Sequence, residues 1–247
     1  ELYGTSISFS IEINLIRTPV VFIHGYQASG AVFDNMEEFL NSRGFESTAF
    51  TYKSENGVAE GAAELNSFLL SLKADYQSRG IQVGKFDVIA HSMGGLVARY
   101  YTGSSSYIYN NNIRKMIFIS VPHHGSHVAS LGMSYFNDKA ISDLVPDNEL
   151  FTYIYPSMIN KGLNSTVQVG NIIGQYDEVV SLESVSLAEW NIKTEIFNVG
   201  DSNFSVNNLL NGSILKSQNH KTVLNNKKVF ERIEEMLINN LPYPSKR

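Results

Sequence analysis

The residues with the most evident chemical potential lie in the hexapeptide AHSMGG, Ala90 to Gly95. Ser92 follows the apolar run KFDVI and stands between small residues, the small-x-Ser-x-Gly pattern that joins a strand to a helix through a tight turn. Such a turn strains its central residue and needs small neighbours, because strand and helix approach closely there. The hydroxyl then protrudes above the sheet, placed to attack a carbonyl. A hydroxyl is a weak nucleophile until a base takes its proton, so Ser92 predicts a histidine and an orienting carboxylate elsewhere in the chain.

The order that accompanies this turn is Ser, then acid, then His. Asp177 in GQYDEVV follows the apolar run VQVGNIIG and so sits at the C-terminal end of a predicted strand. His220 in SQNHKTVL lies in a polar loop just ahead of a last amphipathic helix. Glu178 is the competing acid, and Asp201 after IFNVG is a weaker spare. Asp87, inside a strand and ahead of the serine, reads as a structural hydrogen-bond partner. His91 belongs to the turn motif and is expected to pack beside it. His123, His124 and His127 precede every candidate acid that follows the serine and therefore break the order. Attack on a carbonyl creates an oxyanion, which two backbone N–H groups normally receive. Met93 at the helix N-terminus supplies one, where the helix dipole also favours an anion. The loop in VVFIHGYQAS supplies the other: Gly25 lets the backbone turn and Tyr26 N–H is the expected donor.

These residues need a scaffold, and the apolar pattern describes one. Residues 19–24, 85–90, 114–121 and 167–174 are nearly continuous apolar runs, as strands covered on both faces are. Residues 47–52 and 194–200 add two more, and the period-2 alternation of 6–13 predicts an edge strand. Helix-length segments fill the gaps at 31–43, 57–79, 93–102 and 222–240, each stopping before Gly or Pro. Strands alternating with helices predict one α/β domain over 1–247, with a mostly parallel central sheet and helices on both faces. Residues 126–164 are too long for a simple crossover and are expected to form a lid or cap insertion, apolar enough to suggest a partly apolar pocket; a pair of ordinary helices filling the core edge is the other reading.

Composition narrows the function classes. With 247 residues and a net charge of −5, the chain lacks the basic excess of a phosphate-backbone binder. With no cysteine there is no thiolate nucleophile and no Cys-ligated metal. No apolar run approaches the ~18 residues of a membrane span, so no stable membrane insertion is expected. The start at Glu1 suggests a removed leader or tag and an exported bacterial protein, with a cytoplasmic one as the other reading. The segment PHHGSH raises the question of a metal, but adjacent His123 and His124 cannot easily face one ion, and neither metal nor cofactor is expected.

Taken together, AHSMGG, IHGY, VPHHGS, GQYDEVV and NHKTVLNNKKVFERI resemble the α/β-hydrolase superfamily over about residues 18–240, and within it the small bacterial lipases and carboxylesterases. Ala90 replaces the glycine common in that elbow, a mild departure. SDLVPDNELFTYI is similar to a segment ahead of the acyl pocket in such enzymes. The resemblance implies a nucleophile at Ser92, a base at His220, an acid at Asp177, oxyanion donors at Tyr26 and Met93, and ester hydrolysis through an acyl-serine without a cofactor. The expected substrates are esters of short to medium fatty acids, small molecules or lipids. A thioesterase, amidase or acyltransferase on the same triad, and a non-catalytic binding module of the same fold, are the alternatives.

Overall fold

The computed structural model describes residues 15–104, 110–132, 138–202 and 219–245. Among the described residues, six parallel strands form one sheet in the order β2-β1-β3-β4-β5-β6. They are β1 (Val20–Ile23), β2 (Ser47–Phe50), β3 (Phe86–His91), β4 (Ile113–Ile119), β5 (Gln168–Gly174) and β6 (Thr194–Phe197). The strand expected at 6–13 lies outside the described residues. In β1, Val21 and Ile23 enter the core beneath helices α2 (Val58–Ser78) and α3 (Met93–Gly103), whereas Val20 and Phe22 enter the one beneath α1 (Asp34–Ser42). Apolar side chains on both faces of one strand are the direct cause of its unbroken hydrophobic run. Parallel strands need crossovers, and the helices between them cover both faces; this is the α/β-hydrolase arrangement, with β3 and β4 at its centre.

The register aligns the ends that matter. Ile23 pairs with Ala90, and His91 with Ile119, so the loops after β1, β3 and β4 leave the sheet side by side. A sheet of this kind presents its ligand site at the carboxyl ends of its strands.

Residues 126–164, where described, fold as short helices: α4 (His127–Gly132), α5 (Lys139–Leu144), a π turn at Leu150–Ile154 and shorter turns to Gly162. Met133, Tyr135 and Phe136 of that segment lie outside the described residues. The last predicted helix, 222–240, is divided. A helical turn at Asn219–Thr222 and a 3-10 turn precede α6 (Lys227–Ile238). Asn226 makes the division, because its side chain caps α6 by accepting from the amides of Lys228 and Val229. No helix among the described residues is long and apolar enough to cross a membrane.

Candidate active site

Ser92 occupies the turn between β3 and α3 with φ 53° and ψ −130°, a conformation an L-residue rarely adopts. Close packing enforces it. A Cβ on Gly94 would come within 2.4 Å of the Ile23 carbonyl oxygen and 2.5 Å of that of His24, so only glycine lets the helix start against β1. The loop after β1 is equally close: a Cβ on Gly25 would lie 2.9 Å from Ser92 Cβ and 3.4 Å from Ser92 Oγ. The main chain bearing Tyr26 is therefore laid against the serine. Beneath it the His24 ring stacks on Tyr52 at 4.6 Å, and Tyr52 Oη donates to the His24 carbonyl at 3.0 Å.

The sequence-predicted acid and histidine meet directly. His220 Nδ1 lies 3.0 and 2.9 Å from the two Asp177 carboxylate oxygens, and both side chains are buried. Asp177 Oδ1 also accepts from the amides of Val179 and Val180 at 3.0 and 2.9 Å. Burial alone would raise this carboxyl, but the His220 ring, the Ser120 hydroxyl and the Val180 amide outweigh it and hold Asp177 below the usual carboxylate range. His220 Nε2 is buried without a hydrogen-bond partner. His220 and Ser92 line one cavity of about 70 Å³ together with Gly25, Tyr26 and the apolar Val32, Val128, Ile141 and Leu144.

Other candidates take different places. Glu178 Oε2 accepts from the His220 backbone amide at 3.0 Å, not from the ring. Asp87 is fully buried near the far end of β3 and paired with Arg114. Asp201 is joined through its main chain to Asn219. His124 is exposed and its Nε2 meets the Ser186 carbonyl at 3.0 Å. His123 is buried beside Arg99, whose Nη1 lies 3.3 Å from His123 Nδ1 and donates to its carbonyl at 3.0 Å. Among the described residues no group of three or more His, Asp or Glu side chains is placed to hold a metal ion.

Two features of the site have no signal in the sequence. Ser120, beyond β4, takes a left-handed φ of 50° and buries its hydroxyl completely, beside Asp177. Tyr26 donates its hydroxyl hydrogen bond to Asp138, the residue that caps α5, so the loop at the serine is tied to the start of that helix.

The family model for the PGAP1-like α/β domain matches residues 14–139, half of the chain, including the β1 loop and the serine turn. The chain belongs to that family. Solved structures extend the likeness of this PGAP1-like domain to nearly the whole chain. The mature Bacillus licheniformis lipase BlEst2 is similar at a TM-score of 0.66 and 14% identity, covering 92% of this chain and 94% of that one. Aspergillus fumigatus lipase B gives 0.66 and 17%, over 92% of this chain and 54% of that one. The Pyrococcus furiosus esterase Pf2001 gives 0.56 and 21%, over 90% and 83%. At such identities the shared property is the fold. No curated protein matches the chain.

Proposed function

We propose that the chain is a serine hydrolase that cleaves carboxylic esters of short to medium acyl chain. The observation that carries this reading is the buried pair of His220 Nδ1 and Asp177, at 2.9 Å, with His220 Nε2 unpartnered in the cavity-lining set that includes Ser92. A carboxylate on Nδ1 fixes the tautomer that leaves Nε2 free to accept a proton, and it stabilises the imidazolium that results. In the reaction, Ser92 Oγ bonds to the ester carbonyl carbon while its proton passes to His220 Nε2. The carbonyl oxygen becomes an oxyanion received by the amides of Met93 and Tyr26. The C–O bond to the leaving alcohol then breaks, the alcohol takes the proton, and water repeats the sequence on the acyl-serine.

The cavity supports the short end of the acyl range. Its volume of about 70 Å³ is well below the roughly 300 Å³ at which drug-sized ligand sites begin, and Val32, Val128, Ala129, Ile141, Leu144 and Val179 give it apolar walls. The lipases and the esterase of similar fold are compatible with this substrate class. The deciding experiment combines a fluorophosphonate probe with a chain-length series of p-nitrophenyl esters and one acyl thioester. The reading expects labelling of Ser92, its loss in Ser92→Ala, and the highest kcat/KM with acetate or butyrate. Labelling of another serine, or thioester turnover far above the ester, would replace it.

A further inference from the structure

His220 is gripped by its peptide as well as by its ring. His91, the residue before the serine, places Nε2 3.0 Å from the His220 carbonyl oxygen, with the two imidazole centroids 4.6 Å apart. Glu178, the residue after the acid, accepts the His220 amide at 3.0 Å. That amide lies in the first turn of the short helix Asn219–Thr222, where no carbonyl of the same helix can receive it. The carbonyl of His220 accepts only, so His91 carries its proton on Nε2, which fixes its tautomer.

We infer that His91 and Glu178 are positioning residues for His220, holding its carbonyl and its amide so that the imidazole stays between Asp177 and Ser92. Each half of the site thus does two jobs: residues 91 and 92 bring a clamp and the nucleophile, residues 177 and 178 the ring's partner and a second clamp. The inference rests on the hydrolase reading for its catalytic consequence, although not for its geometry.

The protonation states fit the task. His91 is buried to 3% exposure, and burial, reinforced by the nearby His220, pushes its pKa down to about 3. A proton arriving on His220 in the reaction therefore does not pass to its neighbour, and His91 remains a neutral donor. Glu178 leaves Oε1 buried and unpartnered. Its placement costs the chain something, and the hydrogen bond to the base is what it supplies.

The test separates donor and acceptor from charge and packing. In His91→Phe the ring volume stays and the donor goes; in Glu178→Ala the acceptor goes. Misplacing a catalytic group by about 1 Å can cost on the order of 100-fold, so each variant is expected to lose about 10- to 100-fold in kcat on p-nitrophenyl butyrate, with KM changed less than about threefold. His91→Gln restores an N–H near the position of Nε2, and Glu178→Gln keeps an acceptor without the charge. Both are expected to recover most of the loss. Folded His91→Phe and Glu178→Ala enzymes with kcat within about twofold of wild type would overturn the inference, as would glutamine variants no better than the deletions.

If the deletions do not fold, histidine NMR of the unaltered protein decides. The neutral Nε2–H tautomer of His91 between pH 5 and 8 is expected, and an Nδ1–H or doubly protonated ring would refute the clamp. That measurement needs no substrate, so it stands even if no ester is turned over and the hydrolase reading falls.

Discussion

His220 and His123 are two buried imidazoles at the same end of the sheet, and their Nδ1 atoms meet opposite chemistry. At His220 the partner is the Asp177 carboxylate. At His123 it is the Arg99 guanidinium, itself buried over the Tyr155 ring at 4.3 Å and bonded to the carbonyls of Lys161 and Gly162. A carboxylate welcomes an imidazolium; a guanidinium forbids one. Burial first, then the charge of Arg99, holds His123 well below its ordinary pKa, so it serves as a fixed acceptor. What surrounds Nδ1, not burial, separates a candidate base from a structural histidine.

The largest effect that tests this contrast is on turnover. His220→Ala is expected to lose about 10⁴-fold or more in kcat with its unfolding midpoint little changed, because the members of the proposed triad would act as a unit. His123→Ala should keep kcat per folded molecule within about tenfold. Reversal of the two results would break the comparison at once.

Next comes Arg99. Arg99→Met leaves three carbonyls, those of His123, Lys161 and Gly162, without this donor, and should cost roughly 2–4 kcal/mol in urea denaturation while kcat per folded molecule holds. A loss of kcat with full stability would make Arg99 part of the chemistry.

The third test is the acid side of stability. His91 titrates at about 3 when folded and His123 well below 6.5, so below about pH 6.5 the unfolded chain takes up protons that the folded one refuses. Stability present at pH 7 should fall on acidification by up to about 1.4 kcal/mol per pH unit for each such ring, down to the folded pKa. His91→Gln should flatten the limb between pH 6 and 4 by about one such slope; an unchanged limb would deny that His91 is held neutral.

The smallest effect belongs to Glu178, whose carboxyl is raised by burial first and then by the charge of Asp177. The folded state binds that proton more tightly than the unfolded one, so wild-type stability declines as pH rises through the interval above about 4.3. Glu178→Gln should therefore be slightly more stable than wild type at pH 7, with the difference vanishing below about pH 4. A gain that persists at pH 3 would point to packing instead of charge.

The sheet was legible because its strands are covered on both faces: β1, β3, β4 and β5 each lie within two residues of an apolar run. Ser92, Asp177 and His220 stood out as candidates because a small-residue turn, a strand end and a fixed chain order are local or one-dimensional signals; the structure brings the Asp177 and His220 side chains into contact and places His220 and Ser92 on one cavity. Asn226 could not be read as a cap, since the amphipathic pattern continues across it. The positive φ of Ser120 and the hydrogen bond from Tyr26 to Asp138 were invisible for a different reason. They depend on partners brought together from distant parts of the chain, and no pattern along the sequence encodes the pairing. Glu178 was legible as an acid but not as the acceptor of an amide, because its role depends on where the peptide of His220 falls.

The hydrogen bond from His91 to the carbonyl of His220 closes 129 positions of sequence. Contacts so distant carry a large loop-closure entropy and tend to form late, after local helices are in place. A chain refolding from urea is thus expected to recover its circular dichroism before it can be labelled by a fluorophosphonate. If Ser92 reacts as proposed, the probe would count finished molecules where spectroscopy counts compact ones, and its labelling would report complete folding in any screen for stabilised variants.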